Sequence, residues 1–131
     1  ASFLKENFAL IEKENKLQFI EEGQLFNNIF VQFFHGHTSA QMIPIIHFDN
    51  KKIVFVADLL PSIGHIPLPY VMSYDTQPLI TLQEKNRFLK EAVMNNYILF
   101  LEHDYQYEAC TVKYDGYKFK VDEVGKLTDF L

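Results

Sequence analysis

The spacing of hydrophobic residues along the chain changes between that of helices and that of strands. Leu4, Phe8 and Ile11 recur at the spacing of an amphipathic helix, which we predict over residues 1–14. Short apolar or alternating stretches between turn residues predict strands. These strands are 17–20, 29–34, 42–48, 52–57, 97–101 and the two arms of a hairpin within 112–121 that turns tightly at Asp115-Gly116.

A long segment rich in proline divides the predicted strands. Residues 59–80 hold four of the five prolines, which predicts a loop, and long loops in compact domains are often functional. The clearest helix pattern follows at 82–96. Its start fits a capping box, with Thr81 as the N-cap and Glu84 reaching back to the Thr81 amide.

This order of elements predicts one α/β domain of the α+β type over residues 1–131, with helix packed on one sheet face. The hydrophobic share of 48% excludes a disordered chain. The net charge of −5 argues against nucleic-acid binding, and the apolar runs are too short to cross a membrane. The single cysteine, Cys110, excludes an intramolecular disulfide and fits a reducing compartment, so we expect the cytoplasm.

Three residues that could bind metal stand directly after predicted strands. They are His37, Asp58 and His103. Sites in α/β proteins gather where strands end, and two imidazoles with one carboxylate suit zinc or iron. Each residue alone also fits an ordinary capping or turn position, so the spacing leaves both readings open.

The segments around these residues resemble the metallo-β-lactamase superfamily. They are Gly36-His37-Thr38-Ser39-Ala40-Gln41, Lys52 to Leu60, and Phe100-Leu101-Glu102-His103-Asp104. The chain is similar to the C-terminal half of such a hydrolase from about Phe3 to Val121, and most similar to the lactonase and organophosphate-hydrolase branch. The resemblance implies half of an αββα sandwich, with a mostly antiparallel mixed sheet and helices on one face.

The resemblance also implies roles for the three residues. His37 and His103 would each hold one of two divalent metal ions, with zinc the expected metal, and Asp58 would bridge the two and serve as the catalytic carboxylate. The reaction would be hydrolysis of a lactone, ester, thioester or phosphotriester bond by metal-bound hydroxide. Thr38 and Asp104 would orient the ligands or simply cap the strand ends, and His65 would contact the substrate or lie in a solvated loop.

One strong motif of the family is absent from the sequence. After His35-Gly36-His37, the positions where H-x-H-x-D-H requires Asp and His carry Ser39 and Ala40. In the family that motif lies in the earlier half of the fold and supplies further ligands. We therefore expect this chain to be a fragment of a protein about twice its length, and to be inactive alone.

Two other interpretations remain open. The chain could be a complete, non-catalytic binding or dimerisation module, in which a second copy covers the exposed sheet face. It could also be a small structural zinc domain that uses His35, His37 and His103, which would bind metal tightly without a partner.

Overall fold

The computed structural model describes residues 4–131. Residues 1–3, which include the first positions of the predicted helix and of the resemblance, lie outside the described residues. Within residues 4–131 the regular structure consists of two α-helices, seven strands and three short 3₁₀ turns at Ala57–Leu59, Ile63–His65 and Leu127–Asp129. The helices and strands are α1 (Lys5–Lys13), β1 (Gly23–Phe26), β2 (Ile29–Phe34), β3 (Gln41–Phe48), β4 (Lys51–Phe55), α2 (Pro78–Asn95), β5 (Ile98–Phe100), β6 (Ala109–Tyr114) and β7 (Phe119–Gly125).

The strands form one seven-stranded sheet in chain order. Neighbouring strands are antiparallel, except that β4 and β5 run parallel, with Val54 opposite Leu99. A parallel pair needs a long crossover connection, and here the proline-rich loop and α2 provide it. The predicted α+β class with a mostly antiparallel mixed sheet is confirmed.

Helix α2 covers one face of the sheet and creates the main core. Phe88 and Leu89 of the helix are fully buried against Phe34, Val54 and Leu99. The rings of Phe34 and Phe88 meet edge to face, with centroids 5.9 Å apart, a favourable arrangement for aromatic pairs. Helix α1 contributes no fully buried residue to this core.

The opposite face of the sheet is also apolar. Ile53, Ile98 and Ala109 form a small second cluster there, against which Phe100 packs. Since side chains alternate between faces along a strand, β3 adds its outward apolar residues to the same surface. Two of these are substantially exposed, Met42 at 53% and Phe48 at 49%.

The predicted start of the long helix is wrong. Helix α2 begins at Pro78, with Gln77 as its N-cap, because proline suits the first helical position, where no N–H partner is needed. Thr81 therefore lies inside the helix, and its N–H donates to the Gln77 carbonyl at 3.0 Å. The carboxylate of Glu84 accepts hydrogen bonds from elsewhere in the chain instead of closing a capping box.

Two further local predictions differ from the structure. Residues 17–20 form no strand, and β1 takes the edge position instead, with Gly23 opposite Val31. The last hairpin turns at 116–117, one residue later than predicted, because the Asp115 N–H donates to the Lys118 carbonyl at 3.2 Å. Oδ1 of Asp115 also accepts the N–H groups of the residues two and three positions later at 2.9 Å each.

Candidate metal centre

The three predicted ligands lie together at one edge of the sheet. His37 follows β2, Asp58 follows β4 in a short 3₁₀ turn, and His103 follows β5. The residue before Asp58, Ala57, has a φ of 42°, a left-handed conformation that non-glycine residues seldom adopt. Such strained positions cluster at functional sites.

Asp58 lies between the two imidazoles. Its Oδ2 is 3.5 Å from Nε2 of His37, and its Oδ1 is 3.2 Å from Nε2 of His103. Each histidine thus faces a different oxygen of one carboxylate, an arrangement compatible with a carboxylate shared by two cations. The side chain of His37 is 14% exposed and that of His103 is 51% exposed, so the centre opens to solvent on the His103 side.

The donor types fit zinc, but their number does not complete a zinc site. Nitrogen from two histidines and oxygen from one aspartate are ordinary zinc ligands. Divided over two ions, they would give each ion one imidazole and one carboxylate oxygen, whereas catalytic zinc has three protein ligands. Within residues 4–131, no group of three or more His, Cys, Asp or Glu side chains is arranged to hold a metal ion.

A buried carboxylate that the sequence pattern did not reveal holds His37. Oδ1 of Asp75 is 2.9 Å from Nδ1 of His37, and the Asp75 side chain is only 1% exposed. The ring of Tyr74 meets the His37 ring edge to face, with centroids 6.1 Å apart. The proline-rich loop therefore fixes the orientation of this imidazole.

Helix α2 fixes the chain just before His37. The carboxylate of Glu84 accepts the N–H of His35 at 2.8 Å and that of Gly36 at 3.0 Å. A Cβ atom on Gly36 would lie 2.3 Å from the backbone nitrogen of Thr81, so only glycine allows the two segments to approach this closely.

A second residue of α2 organises the proline-rich loop. Lys85 is fully buried, and its Nζ donates to three loop carbonyls, those of Pro67 at 2.8 Å, Leu68 at 3.4 Å and Tyr70 at 2.7 Å. Burial lowers the pKa of Lys85 to about 8, while the negative charge of Asp75 opposes that shift.

The weaker predicted site residues lie near the centre with different contacts. Asp104 accepts the N–H groups of Ile63, Gln106 and Tyr107 at 2.9–3.0 Å. Burial alone would raise the pKa of Asp104, but these three donors hold it below its usual value. Asp104 thus ties the turn after Asp58 to the turn after β5.

Thr38 and His65 are both partly buried. The hydrogen bonds found within residues 4–131 include none from the Thr38 hydroxyl. His65 places Nδ1 2.9 Å from Oγ of Ser62, and burial, followed by the charge of Lys85, lowers its pKa. His65 and His103 line the same open cavity of about 360 Å³, together with Met72 and Tyr74.

His35 and His47 lie outside this arrangement. Nδ1 of His35 accepts the Ala40 N–H at 3.1 Å. The ring of His47 packs on that of Phe30, with centroids 4.9 Å apart.

Comparison with known proteins places this geometry in a familiar fold. A probable metal-dependent hydrolase from Staphylococcus aureus matches with 26% identity and a TM-score of 0.75, over 86% of this chain and 40% of that one. AidC, a dizinc quorum-quenching lactonase, matches with 26% identity and a TM-score of 0.72, over 83% of this chain and 38% of that one. AbOPH, a hydrolase of the β-lactamase superfamily, matches with 17% identity and a TM-score of 0.78, over 89% and 41%.

The chain has half of a metallo-β-lactamase fold. It spans about two fifths of the length of the solved structures that it matches. No protein-family model and no curated protein matches the chain. Within residues 4–131, no helix is both long and apolar enough to cross a membrane. In this half of the metallo-β-lactamase fold, the three predicted ligands lie at one sheet edge beside an open cavity.

Proposed function

We propose that this chain is the C-terminal part of a metal-dependent hydrolase, and that His37, Asp58 and His103 are part of its metal centre. The observation that carries the proposal is the position of Asp58, with one oxygen toward each imidazole at 3.5 and 3.2 Å. Two divalent ions, zinc in our proposal, would supply the Lewis acidity that hydrolysis needs. The three side chains of this half would hold and bridge them.

The substrate class in this proposal is a lactone, ester, thioester or phosphotriester. The likeness to AidC, a lactonase, at 26% identity favours a lactone among these. The cavity beside the centre supports a small substrate, because His65 contributes a polar group while Met72 contributes apolar surface. We expect the protein to act in the cytoplasm.

The incomplete ligand set is the basis for proposing that this chain is inactive alone. Each ion would have two protein ligands from these residues, whereas catalytic zinc has three plus water. Part of the second sheet face is covered by Leu127 and Phe130, which pack over its buried cluster. The rest, where Met42 and Phe48 are exposed, supports a further structural layer in the complete enzyme.

The test is hydrolysis by the protein isolated from its source, measured on an N-acyl-homoserine lactone and on an aryl ester. We expect activity that a chelator removes and zinc restores, and that Asp58→Asn abolishes. A matched variant, His47→Gln, should keep it, since His47 lies away from the centre. Activity that persists in chelator, or in the Asp58→Asn protein, would overturn the proposal.

A second candidate function is a non-catalytic module that forms a homodimer. The observation in its favour is the same apolar sheet face, since burying it between two copies would remove it from water. This candidate requires a defined dimer of the 131-residue chain, whereas an isolated half of an enzyme should associate without a fixed size.

A further inference from the structure

Asp75 is a buried acid beside the metal centre, and we propose that it is a positioning residue that sets the tautomer of His37. This inference rests on the proposed function, because the tautomer would serve to present Nε2 of His37 to a metal ion. The tautomer itself is a property of the metal-free chain and can be measured without activity.

The contacts of the His37 ring decide which nitrogen carries the proton. Nδ1 is 2.9 Å from Oδ1 of Asp75, whereas Nε2 is 3.5 Å from Oδ2 of Asp58. Only the first distance is that of a good hydrogen bond. In a neutral imidazole the nitrogen that donates this bond carries the proton, so the proton lies on Nδ1 and the lone pair of Nε2 points toward Asp58.

The surroundings of Asp75 leave its carboxylate few other partners. Its side chain is 1% exposed, and Oδ2 is buried with no hydrogen-bond partner in the described part of the chain. A buried acceptor that lost the His37 N–H would therefore become wholly unpaired, which is unfavourable for a polar group removed from water. The pair is for this reason held together.

The backbone fixes the two side chains relative to each other. The N–H of Thr76 donates to the His37 carbonyl at 3.1 Å, and the N–H of Gln77 donates to the Gly36 carbonyl at 2.8 Å. The Thr76 hydroxyl donates to the His37 carbonyl as well, at 2.9 Å. Asp75 thus belongs to a segment bound directly to the residue that it orients, which is how outer-shell carboxylates set ligand histidines.

The experiment is long-range proton–nitrogen NMR of the ¹⁵N-labelled, metal-free chain at about pH 9, where an ordinary histidine is neutral. We expect His37 as the Nδ1–H tautomer in the wild type and as the Nε2–H tautomer, or a mixture, in Asp75→Asn. Asp58→Asn is the matched control, since it alters the other carboxylate near the same ring and should leave the Nδ1–H tautomer in place.

Two results would overturn the inference. One is an Nε2–H tautomer in the wild-type chain, which needs no variant and is informative even if Asp75→Asn does not fold. The other is an unchanged tautomer in a folded Asp75→Asn chain.

Zinc titration of the same proteins gives a second readout. Loss of the positioning carboxylate should weaken zinc binding by about 10- to 100-fold, and equal affinity of the wild type and Asp75→Asn would count against the inference. If the wild type has the Nδ1–H tautomer but zinc does not bind at His37, the proposed metal centre fails while the positioning by Asp75 stands.

Discussion

One carboxylate, that of Asp58, faces the imidazole of His37 with Oδ2 and that of His103 with Oδ1, at 3.5 and 3.2 Å. These residues come from three separate loops, after β2, β4 and β5. Their contact therefore depends on the sheet that aligns the ends of these strands.

Zinc binding by the isolated chain should be weak and should depend on Asp58. Because this carboxylate would contribute to both ions, Asp58→Asn should reduce binding at both histidines, whereas His103→Ala should affect one. Isothermal titration measures the zinc affinity of each variant, and NMR shifts of the two imidazoles show at which histidine zinc binds. The control is His47→Ala, which should match the wild type, and tight binding that survives Asp58→Asn would contradict the assignment.

Because Gly36 lies so close to α2, adding a single methyl group at this position should destabilise the fold. In Gly36→Ala the new Cβ would lie 2.2 Å from Oγ1 and 2.3 Å from N of Thr81, so the backbone must move. We expect a loss of unfolding free energy of about 1–3 kcal/mol or more, measured by urea denaturation.

Gly64→Ala is the matched control, since its Cβ would meet Oγ of Ser62 at an ordinary 3.5 Å. Equal stability of the Gly36→Ala and Gly64→Ala proteins would show that the segment before His37 adapts easily.

The buried ammonium of Lys85 should be required for the order of the proline-rich loop. Lys85→Met removes the donor to the carbonyls of Pro67, Leu68 and Tyr70, and a carbonyl that loses its donor without gaining water costs about 1–3 kcal/mol. We expect faster amide exchange around residues 70–77. Lys90→Met, an exposed lysine of the same helix, should leave exchange unchanged.

The same lysine predicts a pH dependence of stability. Its pKa is about 8 in the folded chain, below the ordinary 10.5. Between these values the unfolded chain binds more protons, so this group increases the unfolding free energy as the pH rises from about 8 to 10.5. Denaturation at several pH values should show this rise in the wild type relative to Lys85→Met. Parallel curves would contradict the low pKa.

The thiol of Cys110 should be unreactive while the chain is folded. The residue is fully buried, and burial, assisted by the charge of Asp104, raises the pKa of Cys110 from 9.0 to about 12. Three units of pKa lower the thiolate fraction about a thousandfold. Reaction with a disulfide reagent at pH 8 should therefore follow unfolding, and rapid labelling under native conditions would show that β6 opens.

The apolar sheet face should make the isolated chain associate. Met42→Lys together with Phe48→Lys places charge on that face and should shift sedimentation toward the monomer. Tyr117→Lys, at a side chain 95% exposed in the last hairpin loop, is the control. A wild-type chain that stays monomeric at high concentration would show that this surface does not bind copies of itself.

Much of the fold follows from local pattern. Strand 29–34 matches β2, and the strands predicted at 42–48 and 52–57 match β3 and β4 within a few residues, because alternation and turn residues act over short distances. The prediction of a strand at 17–20 is wrong because pairing with β2 decides which short segment becomes an edge strand. Local sequence carries no information about that choice.

The sequence could predict only those residues of the candidate metal centre that directly follow strands. His37, Asp58 and His103 each come directly after an apolar run, so their meeting could be inferred. Asp75 and Lys85 could not be found in this way. One lies in a loop without periodicity, and the other looks like an ordinary lysine of an amphipathic helix until the loop packs over it.

The capping-box prediction failed for a related reason. Glu84 follows Thr81 at the right spacing, but its partners, the amides of His35 and Gly36, are nearly fifty residues away in sequence. A local rule cannot anticipate a carboxylate that bonds across the fold.

The central claim, that these residues belong to a larger metal-dependent hydrolase, is tested most directly by the intact mass of the protein in its source, together with the sequence before Ala1. We predict a mass about twice the 15.4 kDa of this chain, with an H-x-H-x-D-H segment upstream to complete the ligands. A native mass of 15.4 kDa would contradict the enzyme assignment and leave the homodimeric module as the account of this fold.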